Sequence, residues 1–173
     1  MSISQKKSFL FVSLAMNQTL FYEKIADRLL GLGLDVAFIC FHERSHFYLL
    51  EKNLQSFNPY RESSYPKWDE NSLVEFEQYV KKYKLPEYYH LLTHEQVAYG
   101  LKNQKEPILK YLWTIKNLEA IFVKRLIHKK WTVVQELGGF ASVIVNFYMA
   151  RFYNFDNYFF EPSFFKGRYF LIK

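Results

Sequence analysis

Residues 131–165 run WTVVQELGGFASVIVNFYMARFYNFDNYFFEPSFF. Residues 131–135 are an unbroken run of β-formers, as a strand covered on both faces requires, and residues 141–153 are long enough for a crossover helix before an apolar strand at 158–160. Strand, Gly-Gly turn, helix and strand make one β-α-β unit, and that unit decides the fold class. Open α/β sheets bind ligands in the crevice outside the carboxyl ends of their strands, where this order places Glu136, Gly138, Gly139 and Glu161 with Pro162. Glycine suits the hinge: Gly138 and Gly139 permit positive φ and close backbone approach. The N–H groups opening the next helix offer a seat for a phosphate, a carboxylate or a sugar hydroxyl. A Gly-Gly pair is far less specific than a full G-x-G-x-x-G fingerprint, so a plain tight turn is the alternative reading.

The start of the chain repeats the rhythm. Residues 8–15 read as a strand and residues 18–32 as a helix with Leu20, Ile25, Leu29 and Leu32 on one stripe. Residues 34–41 follow as a second buried strand after Gly33. A right-handed crossover between them implies a parallel pair. The middle differs: residues 43–55 suit a short helix, and residues 56–70, with Pro59 and Pro66, a loop. Residues 71–83 and 93–103 suit helices, and Pro107 opens a long helix reaching about residue 129. The expected architecture is therefore a Rossmann-like α/β domain over residues 1–173, a parallel sheet flanked by helices with a helical middle segment.

Half of the 173 residues are hydrophobic and a fifth aromatic, which excludes a disordered chain. One cysteine, Cys40, excludes a disulfide framework and a cysteine zinc site, and its apolar neighbours predict a buried strand position. Lys6 and Lys7 before residues 9–15 resemble a signal peptide, but cleavage would remove the first strand of a β-α-β unit, so a cytoplasmic protein is expected. The formal charge of +6 is read first as a solvated basic face, with anionic partners such as nucleotide sugars, a lipid diphosphate or peripheral contact with the inner-membrane face as the alternative.

Two constellations carry chemistry. His42, Glu43 and His46 match H-E-x-x-H, the zinc-hydrolase pattern. The motif follows a strand directly, Arg44 puts a cation inside it and no third ligand continues it, so no metal is expected and His42 and Arg44 are better read as substrate-binding groups at the crevice. Glu161 stands at a strand tip before a proline and Glu136 at the tip of the neighbouring strand. Two carboxylates so placed suit orientation of sugar hydroxyls or general-base catalysis, with a cap or a surface salt bridge as the alternative reading. His90 and His94 suggest the start of a helix more than a metal pair.

On these residues the chain resembles the N-terminal part of bacterial capsule and surface-polysaccharide biosynthesis proteins, the group of capsular Kdo transferases and related GT-B glycosyltransferases. The resemblance rests on the strand at 9–12 leading through a helix into Gly33-Leu34-Asp35-Val36-Ala37-Phe38. It rests equally on Gln135-Glu136-Leu137-Gly138-Gly139 before a helix, and on Phe160-Glu161-Pro162 followed by Phe165-Lys166-Gly167-Arg168. It implies a two-domain enzyme with substrate between two Rossmann-like halves, of which this chain supplies the acceptor side. The partners implied are a sugar or lipid-linked glycan acceptor and a C-terminal nucleotide-sugar domain. No cofactor and no nucleic acid are implied, the nucleotide-sugar donor being a substrate. Glu136 and Glu161 would be catalytic, with Gly138, Gly139, His42 and Arg44 binding substrate. A zinc-dependent hydrolase and a non-catalytic basic α/β interaction module are the competing classes.

Overall fold

A computed structural model describes residues 7–162 and 169–173. Six strands, β1 (Ser8–Ser13), β2 (Asp35–Cys40), β3 (Gln55–Phe57), β4 (Trp131–Gln135), β5 (Asp156–Pro162) and β6 (Tyr169–Ile172), form one sheet in the order β3-β2-β1-β4-β5-β6. The first five are parallel, with Phe9 opposite both Val36 and Thr132, and only β6 runs antiparallel, on β5. This is the expected Rossmann-like α/β class. The chain leaves β1 toward β2 on one side and returns through β4 on the other, so the switch point of the sheet lies between β1 and β4.

Two apolar layers flank the sheet. On one side α1 (Met16–Gly31) and α2 (Glu43–Glu51) pack against Phe11, Val36 and Phe38, with Tyr22, Ala26 and Leu49 as the buried helix residues. On the other, α3 (Ser72–Tyr83), α4 (Tyr88–Tyr99), α5 (Lys105–Ile121) and α6 (Ala141–Phe152) bury Leu10, Val12, Ile39, Ile115, Trp131 and Val133. Alternation along each strand divides these sets, since successive side chains leave a strand on opposite faces. Cys40 is buried in β2, and burial pushes its thiol up to about 11.

Several elements differ from the sequence expectation. Only half of the expected α1 stripe packs inward: Ile25 and Leu29 lie against the core, Leu20 and Leu32 are 39% and 75% exposed, and the fully buried positions are Gln18, Thr19, Tyr22 and Ala26. Polar residues take the buried positions because the helix starts against the end of β1, where Thr19 and Ser13 hydroxyls meet at 2.6 Å. The helix expected at 43–55 stops at Glu51, leaving three residues for β3. The helix expected at 93–103 starts earlier and closes on Gly100 at φ 63°. The long helix ends at Ile121, and residues 122–126 form a π turn whose Leu126 carbonyl accepts from Trp131 Nε1 at 3.0 Å. Lys6 and the run Phe165-Lys166-Gly167-Arg168 lie outside the described residues.

Candidate functional site

At the switch point a cleft of about 410 Å³ opens between the β1–α1 turn and the end of β4, lined by Leu14, Ala15, Gln18, Tyr22, Glu136 and Phe160 among others. The turn holds no glycine. Its Leu14 N–H donates to Gln18 Oε1 at 2.6 Å, Ser13 Oγ donates to the Ala15 carbonyl at 3.1 Å, and Thr19 donates to the same carbonyl at 3.0 Å. With that N–H taken by a side chain and with no bare backbone, the turn lacks the feature that lets a pyrophosphate approach in dinucleotide-binding folds.

Glu136 projects from the last step of β4, which is pinned to α6: Asn146 Nδ2 donates to Gln135 Oε1 at 2.7 Å. Glu161, at the end of β5, accepts a hydrogen bond from the Leu137 N–H and so braces the same turn. The two carboxylates repel. Burial first, and the Glu161 charge second, raise the Glu136 carboxyl above its ordinary 4.5, with the Gln18 amide partly opposing them. Beside them Tyr22 is fully buried, and its hydroxyl is held protonated, first by burial and then by the charge of Glu136. Among the described residues neither Tyr22 Oη nor Gln18 Nε2 has a hydrogen-bond partner of good geometry. The Gln18 amide stands between the two groups, interacting with the Glu136 carboxylate and with the Tyr22 hydroxyl, so three polar side chains meet at the cleft wall.

An aromatic wall closes one side. Phe21 of α1 meets Phe160 at 5.1 Å and Tyr169 at 5.0 Å between ring centroids, and Phe160 and Tyr169 lie 4.7 Å apart. Aromatic faces of this kind pack against the C–H faces of a sugar ring, while carboxylates and amides take its hydroxyls.

The other expected residues stand elsewhere. Gly138 and Gly139 follow Glu136, but neither has positive φ. Gly139 is required by a close approach of a different kind: a Cβ there would sit well inside 3.0 Å of the His94 ring. The anion seat expected at the start of α6 holds a protein carboxylate, since Ala141 N–H donates to Glu95 Oε1 at 2.7 Å, and the other Glu95 oxygen pairs with Lys110 at 2.7 Å. Glu95 is fully buried, so α6 is capped from within the fold. His42 caps α2, its Nδ1 meeting the Ser45 hydroxyl at 3.0 Å, while His46 Nδ1 meets the Ser56 hydroxyl at 3.0 Å. Burial, then the Arg61 charge, lowers the His46 pKa. Glu43 is paired with Arg61 at 3.0 Å. Among the described residues no three His, Cys, Asp or Glu side chains gather as a metal site. Arg44 is exposed on α2. His42 and Arg44 thus follow β2, one strand away from the switch point, and do not line the cleft.

Sequence reasoning placed Glu136 and Glu161 together but missed Gln18, Tyr22 and Phe21. The available signal was Gln18 and Tyr22 on one side of a helix following the first strand, polar residues four apart where an apolar stripe was expected. Comparison with protein-family models, with curated proteins and with solved structures found no match to this chain.

Proposed function

We propose that the chain binds the sugar acceptor of a glycosyl-transfer reaction in the switch-point cleft, as the acceptor-side domain of a bacterial surface-polysaccharide glycosyltransferase. The observation that carries this reading is the group formed by Glu136, Glu161, Gln18 and Tyr22: two interacting carboxylates with an amide and a buried hydroxyl next to them, beside an aromatic wall. Glu136 lies exposed on the cleft wall, and a carboxylate whose pKa is raised is a stronger base than an unshifted one. Glu136 takes the proton of the acceptor hydroxyl as its oxygen bonds to the anomeric carbon. The bond from that carbon to the donor's phosphate oxygen breaks, and the nucleotide leaves with the electron pair. Glu161, tied to the Leu137 N–H, holds the turn and the charge that tunes Glu136. The donor belongs to a second domain, in keeping with the absence of a glycine in the β1–α1 turn. Among the described residues no helix is long and apolar enough to cross a membrane. The charge of +6 suits a protein working in the cytoplasm against the anionic inner-membrane face where a lipid-linked acceptor resides.

The test is saturation-transfer NMR on the whole chain with a panel of hexoses, 3-deoxy-2-keto sugar acids and short oligosaccharides, with nucleoside mono- and diphosphates as controls. Sugar binding that Glu136→Gln weakens about tenfold, roughly the scale of one charge-assisted hydrogen bond, is the expected result. Nucleotides bound in this cleft in place of sugars would overturn the acceptor assignment.

A further inference from the structure

The two faces of the sheet are not equally covered. Among the described residues, helices on the α1 side lie over β1, β2 and β3, while over β4, β5 and β6 the face is closed only at its carboxyl end, by the ring contacts of Phe21 with Phe160 and Tyr169. Below them a depression of about 430 Å³ has Phe9, Val134, Tyr158 and Leu171 among its walls, and Leu171 is 59% exposed. Parallel sheets are covered on both faces in stable proteins.

The dimensions fit one kind of cover. Three strands span about 14 Å, room for one helix and not two, and the open part of each strand is about three residues long, which about two helical turns would cover. The rim selects the charge. Lys7, Lys130 and Asp156 line the depression, and Lys130 at 3.2 Å and Lys173 at 3.9 Å both pair with Asp156, which leaves the described rim net positive. A second copy of the chain would bring the same excess of lysines against them. We propose that this face docks about two turns of an acidic amphipathic helix from a partner, its apolar stripe on Phe9, Tyr158 and Leu171 and its carboxylates toward the lysine rim. The surface is separated from the switch-point cleft by the Phe21, Phe160 and Tyr169 rings and does not depend on what that cleft binds.

The experiment uses the whole chain and two synthetic helical peptides of about 14 residues with the same leucine stripe, one with glutamates on its polar face and one with lysines. Amide chemical shifts are followed during titration. The glutamate peptide is expected to shift residues 132–134, 156–158 and 171 saturably and to bind about tenfold more tightly than the lysine peptide. Lys130→Glu should weaken the glutamate peptide about fivefold, the scale of a rim charge, and Leu171→Glu should weaken both without lowering the melting temperature. Absence of shifts at those residues with the glutamate peptide, or equal affinity for both peptides, would overturn the proposal. So would sedimentation as a dimer that Leu171→Glu dissociates, since a second copy would then be the cover.

Discussion

Glu136 is where one residue's surroundings do most to set chemistry. Its carboxyl is raised by burial and by Glu161, so folding makes its charged form less favourable. The sign follows: between the unfolded and folded pKa values the folded chain binds more protons, and stability falls as pH rises through that window. Glu136→Gln should therefore raise the melting temperature at pH 7 and leave it unchanged near pH 4, while weakening the proposed sugar binding about tenfold. A melting temperature that falls at pH 7 would show the carboxylate to be structural. The neighbouring change separates the two acids. Glu161→Gln keeps an oxygen for the Leu137 N–H but removes the charge, so about 1 kcal/mol of bracing is expected to go, the difference between a charge-assisted and a neutral bond. With the like charge gone, Glu136 should titrate at lower pH in a carboxyl carbon-13 experiment. An unmoved Glu136 titration would break the coupling between them.

At the scale of elements, the turn from β4 into α6 shows what spacing makes legible and what it hides. Residues 131–135 and 141–153 announced a strand and a helix because apolar period and length agree. The filling of the helix start did not, because Glu95 lies 46 residues away and only the packing of α4 brings it to Ala141. Removing it should be costly. Glu95→Ala leaves Ala141 N–H uncapped and Lys110 unpaired, with about 3 kcal/mol lost in denaturant unfolding, near the lower end for a broken buried pair because Lys110 keeps some water. A loss below about 1 kcal/mol would mean that water replaces the carboxylate. Gly139→Ala should cost less. The His94 ring it would meet is exposed and can swing out, giving up its edge-on contact with Phe140 at 5.1 Å, worth about 0.5–1.5 kcal/mol. In the His94→Ala background the same change should be nearly neutral. β3 escaped notice for a different reason: three residues, Gln55-Ser56-Phe57, are too few to show alternation, and pairing with β2 alone makes them a strand. The polar face of α1 escaped because its burial serves a cleft, and an apolar period is no guide there.

For the whole molecule, the strand-helix-strand rhythm at both ends was enough to specify a parallel sheet, since a crossover leaves little choice of direction or hand. The rhythm does not say how thickly each face is covered, which depends on helices distant in sequence. Among the described residues, 24 buried side chains form the core under α3 to α6, against 9 under α1 and α2. Burial of apolar surface is the main term holding an element down, so the two layers should not open together. Amides of α1 and α2 are expected to exchange hydrogen through a partial opening of lower free energy. Those of α5, β1 and β4 should exchange only with global unfolding, α5 because most of one side of it is buried and the strands because they lie centrally in the sheet. Native-state hydrogen exchange across a denaturant series measures this directly. The α1 and α2 amides should show a smaller denaturant dependence before merging with the rest. Exchange of all these elements along one common line would mean that the thin layer is as firmly held as the thick one, and that the cleft formed by α1 is a rigid site instead of one that adjusts to a ligand.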